Sequence, residues 1–311
     1  MKKFLIIIFL GLFLNTTVLA DKRFDKDLVK ISKLNTFVNK KGQPYGLDKD
    51  INKKNTLIII YTHGSLGGEQ KLNGCKPAWA KIPPSIYQLD GTKIKNLTIK
   101  TYQLCSGVRG WTQKEEDIFW EIYDDNNQDV GKVLNLTDKN EVLLIKKWKF
   151  AKKQKVIKLK IDEFKTKGFN NIVLAGHSAG AWASLILQSN LPSEIDGVIG
   201  FNPAKSGKFA KEFKKKKSKV RKGWVNWRDY KISLIKLDKL GQVLVYSHDL
   251  DDYENPKTLS FLSNSKLTKF IDLSDTECKG KLTLGGYHGI TLTKCFAKSE
   301  NNIVRYLEQI F

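Results

Sequence analysis

Apolar residues arrive along this chain in short runs closed by polar or glycine-rich turns, and in longer stretches where they recur every three or four positions. Residues 56–61 (TLIIIY) form a nearly continuous β-branched run. Such a run suits the middle of a parallel sheet, where both faces are covered. Residues 97–104 (LTIKTYQL) alternate and read as the next strand. Residues 172–175, 197–201, 242–246 and 270–273 read as four further short strands. Helical patterns lie between them. The longest, 141–167, is heavily charged, with Val142, Ile145, Trp148, Val156, Leu159, Ile161 and Phe164 spaced as inward residues until Gly168 stops it. Residues 113–123 and 181–188 are shorter helices, and 301–311 closes the chain with Ile303, Val304, Leu307 and Ile310 on one face. Residues 75–89 are partly helical, with Pro83-Pro84 expected to break them. Residues 21–55 are mixed in pattern and leave room for one or two short strands. Strands alternating with helices from Thr56 onward predict an α/β fold: a doubly wound, mostly parallel sheet with helices on both faces.

One junction in this pattern carries chemistry. The apolar run 172–175 stops at Gly176-His177-Ser178-Ala179-Gly180, and a helix-forming stretch follows at once. Strand, tight turn and helix in that order strain the backbone at Ser178 and push its hydroxyl into the open. Gly176 and Gly180 are expected because a Cβ at either would collide with the neighbouring strand or helix. The helix N-terminus aims its free N–H groups and positive dipole end at the same spot. A serine so placed is set up to attack a carbonyl.

The two ends of the 311-residue chain change the picture. Lys2 and Lys3, an apolar core at 4–14 and a small-residue exit at Val18-Leu19-Ala20 read as a secretory signal cleaved after Ala20. The core is too short to span a bilayer comfortably. Residues 21–311 then form a single domain, with 106–150 the best candidate for an inserted lid or cap, and the expected location is secreted or periplasmic. Cys75, Cys105, Cys278 and Cys295 make an even set, so two disulfides are expected in an exported chain. Of the three pairings, Cys75–Cys105 and Cys278–Cys295 are favoured because each joins nearby segments. No C-x-x-C spacing supports zinc, and neither a metal nor a cofactor is expected.

The formal net charge is +22. Lysine is spread through the whole chain. Its densest cluster, Lys211 to Lys222, lacks the interleaved aromatics of a nucleic-acid surface, so no specific nucleic-acid partner is expected. A solvated face is the plain reading, and weak association with an anionic envelope surface is the alternative.

The four histidines narrow the chemistry. His63, His177 and His248 fall at or just past the ends of predicted parallel strands, where working residues of such sheets sit. His288 lies in the glycine-rich loop Gly285-Gly286-Tyr287-His288-Gly289. Ser178 needs a base, and the base needs an acid to orient it. His288 is the chosen base, because flanking glycines let its loop reach over the strand tips. The acid belongs to the turn after the strand at 242–246. Asp251 is favoured there, with Asp249 and Asp252 as close rivals and Glu254 as a distant one. Two N–H groups must also converge on the developing oxyanion. Ala179 supplies one, and the His63-Gly64-Ser65-Leu66 turn supplies the other, at Ser65 or its rival Leu66. Trp79, Trp111, Trp120 and Trp182 are candidates for an acyl pocket, although core packing is the commoner fate of a tryptophan.

In these features the chain resembles the α/β-hydrolase superfamily over residues 56–311. The resemblance rests on Gly176-His177-Ser178-Ala179-Gly180, the His63-Gly64 turn after an apolar strand, the acidic turn 249–252 and the late His288. It implies a sheet of the α/β-hydrolase type, with Ser178 as nucleophile, His288 as base and Asp251 as acid. The family's usual glycine in the acid turn is here His248. The expected activity is that of a serine hydrolase, cleaving an ester, thioester or small amide of a small-molecule acyl substrate through an acyl-enzyme. Acyl transfer on the same triad and a non-catalytic, cationic envelope-binding protein are the alternatives.

Overall fold

The apolar runs become the strands of one sheet. The structure, a computed structural model, describes residues 36–38, 46, 51–64, 81–106, 149–205, 231–280 and 286–311. Its strands are β1 (Thr36–Val38), β2 (Thr56–Thr62), β3 (Lys93–Ile94), β4 (Leu97–Cys105), β5 (Asn171–His177), β6 (Gly197–Phe201), β7 (Gln242–Ser247) and β8 (Thr268–Asp272). They lie in the order β1-β4-β2-β5-β6-β7-β8, and β3 pairs with β4 off this path. From β4 to β8 every pairing is parallel. The antiparallel partners, β1 and β3, both join β4.

The helices are α1 (Pro84–Tyr87), α2 (Lys149–Thr166), α3 (Ala179–Asn190), α4 (Pro256–Leu259), α5 (Lys294–Ser299) and α6 (Asn302–Ile310). Side-chain alternation along the strands decides the layering. Ile58, Ile60, Leu174, Val198 and Val243 face α2 and α3, meeting Val156, Ile157, Ile161, Phe164 and Trp182. Their neighbours Leu57, Ile59, Tyr61, Val173, Ile199 and Leu244 face the other way, toward Ile86, Phe296, Ile303 and Leu307 of α1, α5 and α6. Both faces are covered, which is why these strands read as unbroken apolar runs. The result is a doubly wound, mostly parallel α/β sheet. Helix α3 is buried on all sides through its first eleven positions, so it shows no polar face.

Four details differ from the sequence reading. Pro83 caps α1 and Pro84 is its first residue, so the pair starts a helix rather than breaking one. Proline lacks an N–H that the first turn would leave unused. Leu159 is 44% exposed, and Ile157 is buried in its place. The two positions lie about 200° apart around a helix axis. Strand β8 begins at Thr268, ahead of the expected Phe270. The separate helix α5 carries Cys295 to Cys278.

The Cys278–Cys295 disulfide is present, with Cα atoms 5.7 Å apart. Cys105 is also disulfide-bonded, and Cys75 lies outside the described residues. The same holds for the signal segment 1–20, for 107–148 of the candidate lid, for the helix expected at 113–123, for the cluster Lys211 to Lys222, and for Trp79, Trp111 and Trp120. Trp182 is fully buried in the core. Among the described residues no helix is long and apolar enough to cross a membrane, and no group of acids, histidines and cysteines could hold a metal ion.

Candidate active site

Ser178 stands between β5 and α3 with φ 54° and ψ −121°, a conformation that L side chains rarely adopt. Strain of this kind costs about 1–3 kcal/mol and persists only where the surroundings impose it. Here they do. The Ser178 N–H donates to the Phe201 carbonyl on β6 (3.0 Å), and its own carbonyl accepts from Trp182 N–H in α3 (3.0 Å). A Cβ on Gly180 would stand 2.1 Å from the Thr62 carbonyl oxygen, and one on Gly176 would stand 2.5 Å from Ala181 N. Both glycines are therefore required by close approach.

The sheet order explains why the site lies here. From β2 the chain runs to β4 on one side, then returns to β5 on the other. Such a reversal opens a crevice beyond the carboxyl ends of the two central strands. Gly64 leaves β2 at that point, and a Cβ on it would come 2.9 Å from Ser178 Cβ.

The turn after β7 delivers the acid. Asp251 N–H donates to the His248 carbonyl (3.0 Å). This folds the buried Asp251 carboxylate onto His288, whose Nδ1 lies 2.8 Å from Oδ2 and 3.1 Å from Oδ1. A carboxylate only accepts, so His288 Nδ1 carries a proton, and in the neutral ring Nε2 keeps its lone pair. That Nε2 is buried and has no hydrogen-bond partner among the described residues, so no hydrogen bond joins it to Ser178.

The other acids lie elsewhere. The Asp249 side chain is 58% exposed beside His248 (2.8 Å). Asp252 is exposed. Glu254 forms a buried ion pair with Lys205 (2.8 Å). Among the described residues, Asp251 is the acid bonded to His288.

Two rings hold the imidazole. Tyr253 stacks on His288 with centroids 4.1 Å apart and planes 22° apart. Burial, then the charges of Asp251 and Asp252, push the Tyr253 phenol above its usual value. His177, next to Ser178 in the chain, places Nε2 2.7 Å from the His288 main-chain oxygen. A carbonyl only accepts, so His177 donates there. Burial first, and then the neighbouring His288, push the His177 ring down to about 3.

His63 braces the tip of β2. Its Nδ1 donates to the Gly64 carbonyl (2.7 Å), which leaves Nε2 to accept from Ser106 N–H (3.2 Å). Buried Lys153 donates to the Ser106 hydroxyl from behind (2.7 Å). Ala179 is the first residue of α3, so its N–H has no place in the helix ladder. Ser65 and Leu66 lie outside the described residues.

Strand order, a strained serine between β5 and a buried helix, an acid after β7 and a histidine after β8 are now together. This arrangement resembles that of the α/β-hydrolases. No family model matches the sequence, and no curated protein matches it. Solved structures to which the chain is similar include one titled for LipS and LipT, two metagenome-derived lipolytic enzymes. That match has 11% identity, covers 81% of this chain and 95% of that one, and has a TM-score of 0.43. A monoacylglycerol lipase of Paleococcus ferrophilus matches at 15% identity over 83% of this chain and 97% of its own, with a TM-score of 0.46. Est1E from Butyrivibrio proteoclasticus matches at 12% identity over 88% and 96%, with a TM-score of 0.41.

The structure adds residues that the sequence reading passed over. Asn202, the residue just past β6, donates its side-chain N–H to Asp251 Oδ2 (3.1 Å). Tyr253 also donates its N–H to Asp251 Oδ1 (2.8 Å). His177, read as one strand-tip histidine among three, ties the Ser178 turn to the His288 loop. A polar side chain at the tip of the strand next to the acid strand was the available signal for Asn202.

Proposed function

We propose that the protein is an exported serine hydrolase that cleaves a carboxylic ester, thioester or small amide through an acyl-enzyme. The observation that carries this reading is the buried His288–Asp251 pair, together with a serine held at positive φ at the turn whose His177 bonds to the His288 main chain. Ser178 Oγ attacks the substrate carbonyl while His288 Nε2 takes its proton. Asp251 holds the imidazole in the required tautomer and stabilises the imidazolium. Ala179 N–H and Ser65 N–H receive the oxyanion, a pair of donors of which each is typically worth about 10²–10³ in rate. The imidazolium then protonates the departing alcohol, thiol or amine. Water attacks the acyl-enzyme with His288 again as base, and the acid leaves. Export is supported by the segment at 1–20 and by the Cys278–Cys295 bridge, a bond that persists in oxidising compartments.

A fluorophosphonate probe tests the core of this reading. The folded protein is expected to be labelled at Ser178 and to hydrolyse p-nitrophenyl esters of some chain length, with both properties lost in Ser178→Ala. An unlabelled, folded protein whose esterase activity survives Ser178→Ala would refute it.

A further inference from the structure

We propose that Asn202 is a positioning residue for the acid–base pair, fixing the rotation of the Asp251 carboxylate so that Oδ2 faces His288. This deepens the reading of Ser178, His288 and Asp251 given above and rests on it.

Three loops meet at this one side chain. Asn202 is fully buried just past β6, with φ 45°. Asparagine tolerates that left-handed backbone better than most residues with a Cβ. Its main-chain N–H donates to the Tyr246 carbonyl on β7 (2.8 Å), which anchors the turn. Its Nδ2 donates to Asp251 Oδ2 (3.1 Å), the same oxygen that receives His288 Nδ1. Its Oδ1 accepts from the Thr291 hydroxyl (3.0 Å), and Thr291 belongs to the same short helical turn as His288. The carboxylate can only accept, so the amide must present Nδ2 to it and Oδ1 to Thr291.

Asparagine fits this position for a specific reason. The site needs a donor toward the acid, an acceptor toward the base loop, and a backbone at positive φ. Aspartate would set a second carboxyl against Asp251, and alanine would leave both partners short of a bond. Together with the Tyr253 N–H on Oδ1, the Asn202 amide gives each carboxylate oxygen a fixed second donor. The imidazole then meets an acid that does not rotate. Preorganisation of this kind is what lets an orienting acid act without reorganising during the reaction.

The test compares kcat and KM for a p-nitrophenyl ester in the full chain and in Asn202→Gly, Thr291→Val, Asp251→Asn and the Asn202→Gly/Asp251→Asn double variant. Glycine accepts φ 45° freely, so the amide is removed without straining the turn. Asn202→Gly is expected to lower kcat about tenfold, the worth of one hydrogen bond to a charged group, with KM changed by less than about twofold. Thr291→Val is expected to lower kcat in the same direction by less. In the Asp251→Asn background the glycine substitution is expected to change kcat by less than about twofold, because its effect travels through the carboxylate. An unchanged kcat in Asn202→Gly overturns the proposal, as does an undiminished effect in the Asp251→Asn background. If Asn202→Gly shows no cooperative thermal transition, Thr291→Val decides, and an unchanged kcat there overturns it. Full activity in Asp251→Asn overturns the underlying acid–base reading instead, and the proposal with it.

Discussion

His177 and His288 meet twice. Their rings stand 4.8 Å apart, and Nε2 of the first lies 2.7 Å from the main-chain oxygen of the second. One histidine thus holds the loop that carries the other, and it does so neutral, because burial pushes it from 6.5 down to about 3. The consequence for stability has a definite sign. The unfolded chain binds a proton at His177 below about pH 6.5 while the folded chain refuses it, so this ring destabilises the fold as pH falls from 6.5 toward 3 and has no such effect above. His177→Gln keeps a donor for the His288 carbonyl but has no proton to take up. Urea unfolding at pH 6.5 and pH 4.5 is expected to show the variant losing less stability than the unsubstituted protein over that interval, by on the order of 2 to 3 kcal/mol. Equal losses would mean that the ring is charged in the folded state.

The acid turn offers three aspartates within four positions, and geometry separates them. Asp251→Asn is expected to lower kcat by about 10⁴, since an amide in that place favours the wrong imidazole tautomer. Asp249→Asn, at an exposed side chain, is expected to stay within about twofold of the unsubstituted rate. Steady-state kinetics on one good ester checks both, and a larger loss from Asp249 would move the acid to that residue.

Two glycines predict opposite kinds of damage. A Cβ at Gly180 meets the main-chain oxygen of Thr62 at 2.1 Å, and backbone cannot step aside cheaply. Gly180→Ala is expected to give no cooperatively folded protein in a thermal melt. A Cβ at Gly64 meets the side chain of Ser178 at 2.9 Å and His177 Nδ1 at 3.2 Å. Gly64→Ala is therefore expected to fold and to lower fluorophosphonate labelling of Ser178 by more than about tenfold, because the methyl group presses on the nucleophile. A folded Gly180→Ala protein, or a fully reactive Gly64→Ala one, would contradict this packing.

The buried Lys205–Glu254 pair joins the segment after β6 to the acid turn, under Trp182, whose ring centroid lies 5.1 Å from Lys205 Nζ. Breaking a buried ion pair by removing one partner typically costs about 3–5 kcal/mol. Lys205→Met and Glu254→Leu are each expected to be destabilised by about that amount. The double variant is expected to be no worse than the milder single one. Additive losses in urea titrations would show that the two residues do not act as a pair.

The central strands and the elbow were legible in the sequence because they are over-determined. Strands β2, β5, β6 and β7 are buried on both faces, so each had to be apolar throughout, and Gly176 and Gly180 mark a turn that no other residue fits. Strands β1 and β3 were not legible as such, since a strand of two or three residues at the sheet's end carries no period. The choice among Asp249, Asp251 and Asp252 could not be made from spacing, because all three sit on one turn. The hydrogen bond from Asp251 N–H to His248 is what rotates one of them inward. Asn202 was missed for a related reason. Asparagine before proline reads as simple strand-ending punctuation, and its bonds to Asp251 and Thr291 cross 49 and 89 positions of chain.

The tips of β2 and β5 are fitted together by missing side chains, with Gly64 against Ser178 and Gly180 against Thr62. A joint made of absences has little to adjust, since an added methyl group meets backbone at Gly180 and the Ser178 side chain at Gly64. Room around Ser178 can therefore be widened or narrowed only by segments that hang outside the joint.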